Sequence, residues 1–217
     1  MKIKAVLMDL DHTLYDYHAC NDAGMDAVFG FIEKEYSKKR DDVEKIFYAA
    51  RKKVKMDLLG AGASHSRLLY FQKMLEEIEG TTNPKTILEV YNLFWDTYFE
   101  KMKVPDGIRK LLEHIKTKKV KIVLVTDLTA RVQMQKLEKM DLGNLIDFVV
   151  TSEEAGREKP APYIYYLALE KAKCDIDEAI FIGDDYDKDI AGAENLGIKN
   201  FNLSHNSDWK EIWALFE

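Results

Sequence analysis

Two aspartates, Asp9 and Asp11, stand two residues apart directly after a short apolar run over residues 3–7. Such a run predicts a buried strand, and the carboxyl ends of strands in an open α/β sheet form the usual ligand crevice. On an extended strand both carboxylates would share one face, where two like charges repel unless a cation or a proton lies between them. The pair therefore predicts a bound Mg²⁺ at this strand end.

Three later segments carry further polar groups suited to phosphate chemistry, each where a predicted strand ends or a predicted helix begins. The residues concerned are Thr126, Asp127, Lys159, Asp184 and Asp189. The first two follow an apolar run over residues 120–125, and the last two follow a similar run over residues 179–182. Lys159 opens a helical stretch over residues 161–173, where prolines at 160 and 162 suit a first helical turn.

In this order and on these elements, the segments resemble the four motifs of the haloacid dehalogenase-like hydrolase superfamily. The stretch over residues 157–162 is most similar to its capped phosphatase branch, which includes sugar-phosphate and nucleotide phosphatases such as N-acylneuraminate-9-phosphatase. The resemblance implies a Mg²⁺-dependent phosphatase that hydrolyses a small phosphorylated metabolite through an aspartyl-phosphate. It also implies a Rossmann-like core with an inserted helical cap over the active site.

The resemblance gives catalytic roles to three residues. Asp9 would be the nucleophile that attacks phosphorus, and Asp11 would first protonate the departing alkoxide and then deprotonate the attacking water. Lys159 would bind the transferring phosphoryl group and neutralise charge on it and on the nucleophile. The presence of Asp11 favours phosphoryl transfer over dehalogenation, because the family's dehalogenases lack this second acid.

Thr126 and Asp127 are the candidate substrate-binding residues beside Lys159. The Thr126 hydroxyl and nearby backbone N–H groups could hold the non-bridging phosphate oxygens. Family members commonly have Asn or Gly after this threonine, whereas Asp127 places a carboxylate near an anion site. Its role stays open between a backbone contact to phosphate and a supporting contact behind the site.

The predicted metal site follows the same resemblance. Asp184 is the best candidate for a carboxylate ligand to Mg²⁺, and Asp9 would supply a second carboxylate oxygen. Asp11 would bind through its backbone carbonyl, which leaves its side chain free for proton transfer. Asp189 would support the site by holding a metal-bound water or by orienting Lys159.

The chain divides by pattern into an α/β part and a helical insertion. Helical patterns cover residues 19–36, 41–59, 65–79 and 86–101, and alternating strand and helix patterns follow. The predicted architecture is a doubly wound parallel sheet over residues 1–14 and 105–217, with an all-helical cap over residues 15–104.

Composition limits the classes of partner. The chain has 217 residues and a formal net charge of -6, which disfavours a nucleic acid polymer as partner. Its two cysteines, Cys20 and Cys174, are far apart and indicate neither a disulfide framework nor a zinc site. With no targeting or membrane-spanning pattern, we expect a cytoplasmic monomer or homodimer without a membrane partner.

Two other functions are compatible with the same residues. A phosphomutase of the β-phosphoglucomutase type would share the nucleophile and the second aspartate, and would differ only in the fate of the phosphoryl group. A non-catalytic binding protein on this fold is the other alternative, since a fold does not dictate a function. Phosphate release from a panel of phosphomonoesters would separate the three.

Overall fold

The computed structural model describes residues 2–217, in which five parallel strands form one sheet. The strands are β1 (Ala5–Met8), β2 (Lys121–Thr126), β3 (Phe148–Thr151), β4 (Ala179–Gly183) and β5 (Lys199–Asn202). Their order across the sheet is β3-β2-β1-β4-β5. β1 is central, and Leu7 on it lies opposite Val123 of β2 and Phe181 of β4. The ends of β1, β2 and β4 therefore meet where the strand order reverses, which is the usual place for a ligand.

The sheet is buried on both faces, as expected for parallel strands. Side chains alternate along a strand, and all four residues of β1 are buried. Ala5 and Leu7 belong to a core cluster that includes Tyr165, whereas Val6 and Met8 alternate to the opposite face and are equally buried. The predicted doubly wound parallel sheet is confirmed.

The described residues form two compact units. The α/β unit contains the chain up to Asp16, together with Gly60–Gly62 and Lys103–Glu217. The helical unit contains Tyr17–Leu59 and Ala63–Met102. These boundaries differ from the predicted helical stretch of residues 15–104 at its ends and at its centre.

The short segment Gly60–Gly62 belongs to the α/β unit for a local reason. The backbone N–H of Glu158 donates to the carbonyl of Gly60 at 2.9 Å. Gly62 lies so close to the backbone of Glu153 that a Cβ there would be 2.7 Å from the Glu153 nitrogen. A turn pattern alone does not reveal such contacts, so the sequence analysis left this segment inside the helical insertion as a turn between two helices.

Four helices make up most of the helical unit. They are α1 (Tyr17–Tyr36), α2 (Arg40–Asp57), α3 (Arg67–Glu79) and α4 (Pro84–Lys101). Ser66 caps the start of α3 by accepting from the Leu69 N–H, and Gly80 ends it in the left-handed conformation with φ 71°. Asn83 caps α4 ahead of Pro84, in the first-turn position that proline favours.

Aromatic side chains fill the core of the helical unit. Phe71 and Phe94 lie with ring centroids 5.6 Å apart, and Gly24 lets α1 approach α4 because a Cβ there would be 2.8 Å from the Phe94 ring. Arg67 joins this core: its guanidinium donates to Tyr17 Oη at 2.7 Å and to Asn21 Oδ1 at 2.9 Å. These contacts give Arg67 a packing role inside the helical unit.

The α-helices of the α/β unit are α5 (Asp106–Thr117), α6 (Ala130–Met140), α7 (Ser152–Ala155), α8 (Pro162–Ala172), α9 (Ala191–Glu194) and α10 (Lys210–Ala214). Two of them, α6 and α8, position the site. Helix α6 follows the loop after β2, and α8 follows the loop that carries Lys159. Within residues 2–217, no helix combines the length and the apolar character needed to cross a bilayer.

Candidate active site

Asp9 lies directly after the central strand and is almost completely buried, with 6% exposure. Its backbone N–H donates to the carbonyl of Ile182 at 2.9 Å, which fixes it beside the end of β4. One side-chain oxygen, Oδ1, accepts from Lys159 Nζ at 2.5 Å. The other, Oδ2, accepts from Thr13 Oγ1 at 3.3 Å, a long contact. The carboxylate is therefore held by a cation on one side only.

Lys159 is a buried ammonium that joins two carboxylates. Its Nζ lies 2.5 Å from Asp9 Oδ1 and 2.7 Å from Asp189 Oδ1. Although desolvation opposes its charge, Asp189 and Asp9 raise the pKa of Lys159 well above its ordinary value. The lysine therefore stays protonated.

Asp127 holds the backbone of Lys159 in place. Its Oδ1 accepts from the Lys159 N–H at 3.0 Å, and its Oδ2 pairs with Lys188 Nζ at 2.6 Å. Both carboxylate oxygens therefore have protein partners. This arrangement favours the supporting role for Asp127 among those that the sequence left open.

Asp184 and Asp189 complete an acidic cluster at the end of β4. Oxygens of Asp9, Asp184 and Asp189 all lie within 4.8 Å of one another. The Thr13 hydroxyl, which has one proton for both carboxylates, lies 3.2 Å from Asp184 Oδ1 as well as 3.3 Å from Asp9 Oδ2. Gly183 is needed here because the Asp189 carboxylate lies against it, in the space that a Cβ would occupy. A small residue before Asp184 therefore lets Asp189 reach Lys159.

The cluster carries more negative charge than Lys159 neutralises. Desolvation, and next the charge of Asp189, raise the pKa of Asp184 to about 6. Desolvation also raises the pKa of Asp9 well above its ordinary value, although Lys159 opposes the shift. Three carboxylate groups close together are the oxygen donors that Mg²⁺ prefers. The residues present therefore fit a divalent cation.

When a chelator keeps the protein free of divalent cations at neutral pH, Asp184→Asn is expected to be more stable than the wild type. The folded state binds a proton at Asp184 more tightly than the unfolded chain does, because its pKa is raised from 3.8 to about 6. Ionised Asp184 therefore costs stability above that pKa, and acidification removes the cost. In thermal unfolding, the variant's advantage over the wild type should shrink as the pH falls from about 7 to about 4.

Mg²⁺ at neutral pH should raise the melting temperature of the wild type more than that of Asp184→Asn. Asp187→Asn, an exposed change in the same loop, is the matched control and should behave like the wild type. A variant that is less stable than the wild type in chelator, or an equal Mg²⁺ response in both, would contradict a cation site at Asp184.

Thr126 lies at the end of β2 and is buried. Its hydroxyl accepts from Gln133 Nε2 at 2.6 Å and lies 3.3 Å from the carbonyl of Asp127. The Gln133 amide also donates to that carbonyl at 2.6 Å. The strand end and the loop after it are thus tied to helix α6. Phosphate binding by Thr126 stays a prediction.

Asp11 has a different set of partners from Asp9. Lys136 Nζ lies 2.6 Å from Asp11 Oδ1 and 2.7 Å from Oδ2. The Tyr15 hydroxyl also donates to Oδ1, and Gln133 Nε2 lies 3.4 Å from Oδ2. Although desolvation opposes the effect, Lys136 lowers the pKa of Asp11. These partners therefore favour the ionised form of Asp11.

The two aspartates have separate lysine partners that the sequence did not predict. The sequence placed Asp9 and Asp11 on one face of a strand, with Mg²⁺ separating their charges. The structure ends β1 at Met8, so both residues lie just beyond the strand. Lys159 pairs with Asp9 and Lys136 with Asp11, while, beyond desolvation, the charge of Asp11 still contributes to the raised pKa of Asp9. The lysines offset part of the repulsion, and a cation at this pair stays a prediction.

Four polar residues of this site were missed by sequence reasoning. They are Thr13, Gln133, Lys136 and Lys188. A signal was available for Gln133 and Lys136, which lie three residues apart on α6 among the buried residues of one helix face. A lysine on such a face is almost always paired, so its position could have indicated a buried carboxylate.

The chain matches the family model described as haloacid dehalogenase-like hydrolase over residues 6–203. It is 38% identical to a ribulose-1,5-bisphosphate 5-phosphatase from Halopiger xanaduensis, covering 95% of this chain and 88% of that protein. It is 26% identical to the N-acylneuraminate-9-phosphatase of Homo sapiens, covering 91% and 81% respectively. A solved HAD phosphatase from Thermococcus onnurineus shares the fold, with a TM-score of 0.73, 22% identity and coverage of 95% and 88%.

Proposed function

Because this chain belongs to the haloacid dehalogenase-like hydrolase family, we propose that it hydrolyses a small phosphorylated metabolite through a covalent phosphate on Asp9. Its similarity to phosphatases over nearly the whole chain identifies it as a phosphoric monoester hydrolase. The proposal adds the residues, the intermediate, the cofactor and the class of substrate.

In the first half of the reaction, an oxygen of Asp9 attacks phosphorus and the bond from phosphorus to the ester oxygen breaks. Asp11 enters this half in its protonated form, although Lys136 favours the carboxylate, and gives its proton to the leaving alkoxide, which departs as an alcohol. Asp9 is free to react on the Oδ2 side, where its protein contact is long, while Lys159 holds Oδ1. The first half leaves an aspartyl-phosphate and an ionised Asp11.

In the second half, water attacks the phosphorus of the aspartyl-phosphate. Asp11 takes a proton from this water, and the bond between phosphorus and the Asp9 oxygen breaks. Phosphate leaves, Asp9 is again a carboxylate, and Asp11 carries the proton with which it began. The pairing of Asp11 with Lys136 suits this base step, because it favours the ionised carboxylate.

Charge on the transferring group is balanced by residues around it. We assign Lys159 to the phosphoryl oxygens as well as to Asp9, with the Thr126 hydroxyl as a further donor. Asp9, Asp184 and the backbone carbonyl of Asp11 would hold Mg²⁺, with Asp189 in support. When bound, Mg²⁺ supplies positive charge that lets the nucleophile and the phosphate approach each other.

One observation carries the proposal: a buried aspartate at the end of the central strand has a lysine on one carboxylate oxygen and a weak contact on the other. An ion pair with purely structural value would bury both oxygens in strong contacts. The second acid two residues later completes the groups that phosphomonoester hydrolysis requires.

The substrate class follows from the relatives. They are named for ribulose-1,5-bisphosphate and for an N-acylneuraminate 9-phosphate, and both are small phosphorylated metabolites. We therefore expect phosphate release from a panel of such compounds in Mg²⁺. The panel includes ribulose-1,5-bisphosphate, acyl-sugar phosphates, phosphoglycolate, nucleoside monophosphates and a hexose 1-phosphate.

Rapid conversion of the hexose 1-phosphate to a hexose 6-phosphate without free phosphate would indicate a mutase instead. Complete inactivity across the panel in Mg²⁺ would contradict the phosphatase assignment and favour a binding protein.

Phosphate release is expected to require Mg²⁺. Without the cation, the three carboxylates of Asp9, Asp184 and Asp189 repel an anionic substrate, and Lys159 alone offsets their charge. EDTA should abolish turnover and added Mg²⁺ should restore it, whereas Ca²⁺ should substitute poorly because its coordination is larger and looser. Full activity in EDTA after dialysis against chelator would show that the cluster does not use a cation.

A further inference from the structure

Lys136 is a buried ammonium to which the reaction described above gives no step of its own. It lies on α6 with 1% exposure. Lysine is rarely buried to this extent, because an unpaired charge in the interior is strongly unfavourable. Its Nζ bonds both oxygens of Asp11, at 2.6 and 2.7 Å. Its burial is thus tied to the proposed general acid and base.

Helix α6 brings a second polar side chain close to the same carboxylate. Gln133 lies one turn before Lys136, and its amide is fixed by bonds of 2.6 Å to Thr126 Oγ1 and to the Asp127 carbonyl. These two short bonds use both Nε2 protons, so the 3.4 Å contact to Asp11 Oδ2 has no proton of its own. Leu137 and Met140 anchor the helix in the core. The polar groups around Asp11 therefore have fixed positions.

The two oxygens of Asp11 differ in how firmly they are held. A carboxylate accepts about four hydrogen bonds, two at each oxygen. Oδ1 accepts from Lys136 and Tyr15, whereas Oδ2 accepts from Lys136 and lies 3.4 Å from Gln133 Nε2. Oδ2 therefore keeps a lone pair at which a proton, a leaving-group oxygen or a water can bind.

We propose, on the basis of the function given above, that Lys136 is a positioning residue that clamps Asp11 so that Oδ2 handles the proton. Lys136 and Tyr15 fix Oδ1, and the substrate or water occupies the remaining place at Oδ2. A proton-transfer group has to be held within about 0.5 Å of its working position. A lone aspartate on a loop rotates freely, and the clamp removes that freedom.

The test compares Lys136→Met with the wild type on para-nitrophenyl phosphate and on the best alkyl phosphate from the panel. Nitrophenol leaves without help from an acid, so the first half of the reaction should proceed at nearly the wild-type rate. The second half needs Asp11 as base and should slow by about 10²-fold. The expected signature is a burst of nitrophenol, close to one per enzyme, followed by slow steady turnover.

On the alkyl phosphate, both halves need Asp11, so kcat should fall by about 10²-fold without a burst. Lys139→Met, an exposed change on the same helix, should behave like the wild type. Adding Lys136→Met to Asp11→Asn should change nothing further, because the clamp would have no proton-transfer group to position. The double variant removes both charges of the Lys136–Asp11 ion pair. It therefore tests the proposal even if Lys136→Met alone fails to fold.

Equal slowing of the burst and of the steady state, or a further loss in the Asp11→Asn background, would overturn the clamp and leave Lys136 a structural residue. Wild-type rates in Lys136→Met would overturn it as well. Wild-type protein that releases no phosphate from any substrate would instead refute the proposed function, so the two failures are distinguishable.

Discussion

Asp9→Asn should abolish phosphate release, lowering kcat by about 10⁴-fold or more. The amide keeps nearly the shape of the carboxylate but has no anionic oxygen to attack phosphorus. It also removes one charge that Lys159 now shares with Asp189. Steady-state phosphate release in saturating Mg²⁺ measures the loss, and no burst of nitrophenol from an aryl phosphate should remain.

Asp177→Asn is the matched control for this change, because Asp177 is exposed and precedes the start of β4, at the opposite end of that strand from Asp184. It should leave kcat unchanged. Circular dichroism and the melting temperature would establish that Asp9→Asn is folded. If the folded variant, free of deamidation, turns over within about tenfold of the wild-type rate, Asp9 is not the nucleophile.

Lys159→Ala should lower kcat by about 10²-fold to 10³-fold, the usual cost of removing one preorganised charge donor from an active site. The change takes the ammonium away from Asp9 and Asp189 at once and leaves both buried carboxylates without it. The melting temperature should also fall, because breaking a buried ion pair from one side costs about 3 to 5 kcal/mol. Activity is therefore measured well below the new melting temperature.

Lys53→Ala provides the comparison for a solvated lysine. The Lys53 side chain is 65% exposed and lies 3.7 Å from Asp57, a distance at which a surface pair contributes little. Its removal should change neither kcat nor the melting temperature. Equal effects of the two substitutions on kcat would mean that Lys159 is a structural lysine and that the phosphoryl charge is balanced elsewhere.

The strand framework of the site could be predicted because its signals are local. The apolar runs before Asp9, Thr126 and Asp184 predict buried strands. In the structure, β1, β2 and β4 end at or next to these residues. Strand ends meet at one edge of such a sheet, so the topology brings the polar residues together. The position of Lys159 just before a helix that begins with proline could also be predicted from the sequence.

The partners of the two aspartates could not be predicted in the same way. The strand β1 ends at Met8, so both aspartates lie beyond the strand on which the sequence placed them. The lysine that binds Asp11 comes from residue 136, on a helix far along the chain, and nothing at the strand end specifies it. The contacts of Asp127 depend likewise on Lys188 and on the Lys159 backbone, which only the folded chain brings close.

The central claim is that the phosphoryl group passes through Asp9, and reduction of the enzyme during turnover tests it most directly. Borohydride converts an acyl phosphate, but not a free carboxylate, to an alcohol, so a trapped aspartyl-phosphate becomes homoserine. Peptide mass spectrometry of enzyme reduced while it hydrolyses substrate in Mg²⁺ should find homoserine at residue 9 and aspartate at residue 11. Homoserine at another residue, or none in an enzyme that is turning over, would contradict a covalent phosphate on Asp9.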